Sequence, residues 1–438
     1  MSSCFWRTKE HSHESKNMIM VNLHQEHNTD MGKRYRYFVS VVLICMLLFC
    51  CGRDDTRNIS DNSYNSGTDM QFFYMTGGVN TTHIQETSDG CFLYHDQYIY
   101  RYDNRDNSIT VLCSKPNCLH DKETDPKKQI ECNAFLDGMI PGSTVTLMLY
   151  NENLYICYEE LYSKGLKYPS AICRMAGDGS AKEVIYEHSN MLVPMQHRGY
   201  IYFVAVGYSA DTDNISGSTA IKRVDITSQR AKEEVIYQAD FMVNGGGFLM
   251  GYGNHIYCCL SHYGSTEDSF TKLFDYDINR KTCTESPFVS KRPYVFQSRL
   301  IGADDAALME NDSEGHFKLY SAALDGSDLK VIKEDYDGKL VGCDNSYYYL
   351  SNPFDLYENP AASTYIRIYD KDWNLVDETS QPGINTEMQP FSSPVGGDRY
   401  QYLEYTNDST GEWGLLVWDK SKIGTYHREA YKQQLVIY

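Results

Sequence analysis

The chain of 438 residues predicts an all-β fold, a β-propeller of seven blades, on three observations. The first is an internal repeat whose copies carry an acidic turn at Asp103, Asp178, Asp225, Asp277, Asp325, Asp370 and Asp419. Successive spacings are 75, 47, 52, 48, 45 and 49 residues, and a period of about 45–50 with several short strands is the mark of propeller blades. The second is tyrosine usage: 37 Tyr stand against 17 Phe and 4 Trp, and Tyr suits half-buried strands where its hydroxyl stays wet. The third is periodicity, because only one N-terminal run escapes the alternation of strands. A tandem β-sandwich or a β-solenoid is the competing architecture.

Each copy contains a Tyr-rich stretch, a polar loop, an alternating apolar stretch, the Asp turn and a short Val/Ile strand. The second halves read YIYRYDNRDNSITVL from Tyr98, AICRMAGDGSAKEVIY from Ala171, AIKRVDITSQRAKEEVIY from Ala220 and KLFDYDINRKTCTE from Lys272. LYSAALDGSDLKVIK from Leu319, YIRIYDKDWNLVDE from Tyr365 and LLVWDKSKIGTYHRE from Leu415 complete the set. The first halves recur in phase at Asn153, Tyr200, His255, Tyr347 and Tyr400, with a weaker copy at Ala306. Asp-Gly at 178–179 and 325–326 is a hairpin dipeptide. Blades are expected at 86–114, 139–188, 189–240, 241–288, 289–335, 336–383 and 384–432, with 115–138 inserted outside the ring. Six or eight blades stay open, because Phe72-Phe73 and Leu435-Val436-Ile437 could pair to close the circle.

The N-terminus speaks of location. Residues 1–30 are polar and unpatterned and read as a mis-assigned start or disordered extension ahead of Met31. A basic block, Lys33-Arg34-Tyr35-Arg36, precedes the uncharged run Tyr37–Phe49. Thirteen apolar residues are too few to span a bilayer but suit a signal-peptide core. The run ends at Leu48-Phe49-Cys50-Cys51-Gly52, which resembles a bacterial lipoprotein signal over residues 31–50. The resemblance implies cleavage before Cys51 and a lipid on its sulfur, with Cys50 as the alternative. Residues 51–85 then form a tether, of which Gly52–Asp69 has a flexible composition. The repeated YIY…Asp…VIY pattern across 86–432 resembles the propeller domains of clostridial-type lipoproteins, akin to low-density-lipoprotein-receptor-like or TolB-like propellers.

The long first spacing holds an insert, 113–138, with its own chemistry. Cys113, Cys118, His120 and Cys132 place three thiols and an imidazole within 20 residues. Such a donor set suits a closed, structural tetrahedral Zn²⁺ site. A disulfide among the three cysteines, or free thiols, are the alternatives. Asp121 is the expected partner for the second histidine nitrogen. Cys91, Cys157, Cys173, Cys258, Cys259, Cys283 and Cys343 fall inside strand patterns and read as small buried hydrophobes.

Net charge of −19 argues against a nucleic-acid partner, which demands a basic footprint. The acid pairs Glu159-Glu160, Asp211/Asp213 and Asp304-Asp305 read as solvated loop residues. Asp275-Tyr-Asp277-Ile-Asn279 fails the calcium-loop test, with Arg280 and Ser286 where Gly and Glu are required. No catalytic residue is assigned. The expectation is a membrane-tethered extracytoplasmic module that binds a protein or carbohydrate. A propeller enzyme acting on extracellular glycan or peptide is the alternative.

Overall fold

A computed structural model describes residues 63–65, 67–70 and, apart from interspersed segments, 83–436; the longest segments left out are 304–315, 352–364, 381–387 and 425–431. The signal run, Cys51 and the acids Glu159, Glu160, Asp213, Asp304 and Asp305 lie outside the described residues. No helix among the described residues is long and apolar enough to cross a membrane.

The described strands form an all-β propeller built from seven four-stranded sheets and one extra two-stranded hairpin. The sheets span 84–111, 145–188, 191–239, 247–285, 294–337, 339–380 and 388–436. Each is an antiparallel meander, strand one to strand four in chain order. The extra hairpin, Leu161–Ser163 with Leu166–Tyr168, lies between strands two and three of the second sheet.

Side-chain alternation explains why the sheets stack. Tyr200–Asp211, the second strand of the third sheet, buries residues on both faces. Ile201, Phe203 and Ala205 pack with Met148, Tyr155 and Ile172 of the second sheet. Tyr202, Val204 and Val206 point the other way, onto Leu249, Ile256 and Cys258 of the fourth. A period of two therefore feeds two interfaces, and the strand reads as a continuous apolar run. The fourth sheet shares a cluster with the fifth, the fifth with the sixth and the sixth with the seventh. The seventh, through Tyr402, Trp413, Leu415 and Val417, enters the cluster that holds the first and second.

Among the described residues, no strand pairs across the joint between the seventh and first sheets. Leu435 and Val436 pair with Leu415 and Gly414 inside the last sheet, and Phe72-Phe73, with which they could have closed the circle, lies outside the described residues. Side chains do the closing. The Tyr402 hydroxyl donates to the Gly90 carbonyl at 3.2 Å and accepts from Asn104 Nδ2 at 3.1 Å.

The repeated aspartates serve the turns between strands three and four. In all seven, the carboxylate accepts from the backbone N–H two residues on, at 2.8–3.1 Å. This local bond stabilises a tight reversal, and so an acid recurs where no catalysis is needed.

Three further expectations need correction. The fifth sheet takes its second strand from Arg299–Ala303, ahead of the weak copy at Ala306. Residues 63–70 do not behave as free tether: Asp69 is 2% exposed and its carboxylate meets Arg198 at 2.7 Å. The first strand, Ile84–Glu86, also starts inside the expected tether. The insert, finally, is not outside the ring, as its second half shows.

Candidate metal centre

The insert starts where the outermost strand of the first sheet, Ser108–Val111, ends. Cys113 follows at once, and Cys118 comes after a turn in which Asn117 has φ +62°. His120 opens a single 3₁₀ turn, His120–Lys122, with φ +55°. That left-handed backbone costs a non-glycine residue about 1–3 kcal/mol. Its carbonyl accepts from the Tyr98 hydroxyl at 3.1 Å, which ties the turn to the first sheet. A four-residue helix, Pro126–Gln129, capped by Asp125, then carries the chain back to Cys132.

The four predicted ligands converge. Three sulfurs and one ring nitrogen lie within 4.8 Å of one another. His120 turns Nδ1 inward, 3.8 Å from Cys132 Sγ, close to the ~3.6 Å expected of N and S ligands on one tetrahedral Zn²⁺. All three cysteines are unbridged in this arrangement. Asp121, expected behind the imidazole, accepts from the Tyr100 hydroxyl at 3.4 Å.

Electrostatics suit a cation. Burial opposes ionisation of Cys113, but N–H groups of Lys115 and Asn133 and the thiols of Cys132 and Cys118 outweigh it and lower its pKa. Burial pushes Cys132 up to about 12, and the neighbouring Cys113 charge adds to the rise despite a bond from the Ala134 N–H. Cys113 thus ionises before Cys132, and burial above all opposes the second charge, a cost that a bound cation would offset. Peptide N–H groups already aimed at sulfur are what a thiolate–metal site needs.

The site joins two sheets. Cys132, Ala134, Phe135 and Leu136 are buried in the cluster shared by the first, second and seventh sheets. The Ile99 N–H donates to the Ala134 carbonyl at 3.0 Å, and the Leu136 N–H to Gln97 at 2.8 Å. Across the joint, Asn133 Nδ2 donates to the Gly179 carbonyl at 2.8 Å, and the Lys182 ammonium reaches the Phe135 carbonyl.

Two polar clusters escaped the sequence reading. At the closing seam, Glu404 is fully buried, accepts from Trp413 Nε1 at 3.0 Å and lies 3.5 Å from His95 and 3.8 Å from His83. Its only signal was one acid within the aromatic strand YQYLEYTN. The second cluster is the receptor for residues 63–70, formed by Gln196, His197, Arg198 and Asn254. Arg198-Gly199 reads in sequence as an ordinary hairpin turn, so nothing marked it. The seven cysteines assigned to strands are free, six of them buried and Cys283 partly so.

No protein-family profile and no curated protein matches the chain. Solved structures of low identity do. A quinonprotein alcohol dehydrogenase-like protein from Bacteroides thetaiotaomicron aligns at 11% identity and TM-score 0.48, over 80% of this chain and 76% of its own. An acylaminoacyl peptidase from Pyrococcus horikoshii aligns at 11% and 0.48, over 85% of this chain. The alignment spans about half the length of that peptidase, 54%. The β-propeller domain of the Trilobed protease from Pyrococcus furiosus gives 12% and 0.42, over 64% and 83%.

Proposed function

We propose that the chain is a seven-bladed, lipid-tethered extracytoplasmic propeller that binds a protein or carbohydrate at one end of its ring. One blade is counted per four-stranded sheet. The observation that carries the reading is a pair of hairpins projecting from adjacent sheets. In the third sheet, strands Tyr200–Asp211 and Asn214–Asp225 stay paired to their tip, whereas their outer neighbours pair only as far as Ala205 and Thr219. The two-stranded hairpin of the second sheet occupies the equivalent connection, between strands two and three. The two-to-three connections themselves vary in length, from two residues at 96–97 to thirteen at 352–364. Length-variable loops on a rigid scaffold are where recognition is built.

The four-ligand site is read as structural Zn²⁺ that clips the first blade to the second. Cys51 is read as the lipidated residue, on the signal-like run that precedes it. A peptide-acting enzyme remains the second reading, and turnover separates the two.

The test uses the full chain and a version lacking residues 207–218, closed by a two-residue turn. Glycan and peptide arrays probed with the full chain should give a ligand that the shortened version loses, at unchanged melting temperature. Equal binding by both versions would overturn the assignment of this end. Cleavage of the array substrate would favour the enzyme. Replacing Cys51 with Ser should shift the protein from the membrane fraction to the medium, and continued anchoring would move the lipid to Cys50.

A further inference from the structure

The segment 63–70 sits in a receptor that is built for it. His197 is fully buried, and its Nδ1 accepts from the Met70 N–H at 3.0 Å. The Thr68 carbonyl accepts from the Arg198 N–H at 2.7 Å and from Gln196 Nε2 at 3.0 Å. Arg198, 6% exposed, grips Asp69 with Nε at 2.7 Å and one Nη at 3.2 Å. The same guanidinium reaches Asn254 Oδ1 at 2.7 Å and the Ser63 carbonyl at 2.8 Å. Every receptor side chain lies in, or next to, the turn between strands one and two of the third or fourth sheet.

Topology then says which end of the ring this is. In a four-stranded meander the one-to-two and three-to-four turns share an end. Here they are hydrogen-bonded to each other, Ile226 N–H to the Gly199 carbonyl and Ile278 N–H to the Asn254 carbonyl. The projecting hairpins leave from the opposite end. So does the start of the first strand: the His83 carbonyl accepts from the Tyr94 N–H, beside the turn at 96–97. A leash running straight from that strand would leave the ring on the binding side. Docked, the chain leaves from the other side.

We propose that residues 63–70 are a mounting strap: they bind the third and fourth sheets so that the lipid anchor at Cys51 pulls on the end bearing the Asp turns, and the hairpin end faces away from the membrane. The inference rests on the lipid-tether reading. Twelve residues, 51–62, then separate lipid from strap, a reach of ~43 Å at most. Release of the strap would lengthen the leash to residues 51–83, more than double, and transfer its origin to the hairpin end.

The experiment uses the lipidated full chain in vesicles of phosphatidylethanolamine and phosphatidylglycerol with an acceptor dye on the headgroup. A fluorescent amino acid replaces Asn279, exposed in a three-to-four turn, or Ser409, exposed at the opposite end. Energy transfer from position 279 should exceed that from 409 at least twofold. Asp69→Asn and, independently, Met70→Pro should abolish the difference and lower protection of the Arg198 amide against hydrogen exchange at least tenfold, with the melting of the ring retained. Equal transfer from both positions in the unaltered, vesicle-bound protein would overturn the mount alone. Failure of the protein to float with vesicles would overturn the lipid reading and the mount with it; protection at Arg198 would still report whether the strap docks.

Discussion

Acidification from pH 7 to pH 4 should release the strap before it opens the ring. The His197 ring lies between two groups of fixed character. Nε2 is 2.8 Å from the Gly253 carbonyl, which only accepts, and Nδ1 faces the Met70 N–H, which only donates. The partners therefore define a neutral ring protonated at Nε2. Burial pushes its pKa from 6.5 down to about 4, with the Asp69 charge and the Gly253 bond opposing and Arg198 adding to the fall. Below pH 6.5 the unfolded chain takes up a proton that the native site refuses until about pH 4, so stability falls with pH across that window. At 1.36 kcal/mol per unit, the loss reaches about 3 kcal/mol near pH 4 and then stops growing from this group. A protonated Nδ1 would set donor against donor at Met70, and undocking the strap is the local way to relieve it. Amide exchange at Met70 and Arg198, corrected for intrinsic rates, should accelerate between pH 6.5 and 4 while amides of the third sheet stay protected. His197→Gln, which donates and accepts but does not titrate, should flatten the dependence. The same slope in that variant, or full protection down to pH 4, would refute the reasoning.

Three other outcomes are expected. The protein should bind one Zn²⁺ or Co²⁺ through Cys113, Cys118, His120 and Cys132, read by native mass and by thiolate-to-cobalt absorption; because residues 132–136 sit in the core, chelation should lower melting of the whole propeller, and an unchanged melting curve would show a dispensable site. Tyr402→Phe removes both hydrogen bonds at the closing seam and should cost about 1–2 kcal/mol in denaturant titration, most of it the Asn104 amide, since the Gly90 carbonyl keeps the Thr87 N–H at 2.9 Å. Asp344→Ala removes the carboxylate 2.7 Å from the buried Lys420 ammonium, with its bonds to the Tyr349 hydroxyl and the Ser346 and Tyr347 N–H groups, and should cost about 3–5 kcal/mol; a Lys420→Met partner substitution should recover part of it, and an additive double variant would deny the coupling.

The propeller and its phase were legible because they rest on local chemistry. Each Asp turn bonds within two residues of itself, so a one-dimensional spacing reports it faithfully. The Cys/His cluster was legible for the same reason: all four residues fall within 20 positions, and their types are those that could hold a metal. What lies at long range was not. The insert joins the core through Ile99, Gln97 and Gly179, contacts that its polar composition conceals. Nothing in its composition says which strand the C-terminal Lys432–Val436 joins, and Trp413–Asp419 of the last sheet takes one of its edges. The strap is the sharpest case. Ser63–Met70 has the composition of a free linker, and on its own buries too little apolar surface to order itself. Arg198, 129 residues away from Asp69, supplies the charge that orders it. Composition thus determines where a chain can fold by itself, and only the tertiary structure decides which polar segment meets a buried countercharge, because that encounter is set by ring closure and not by any neighbour in sequence.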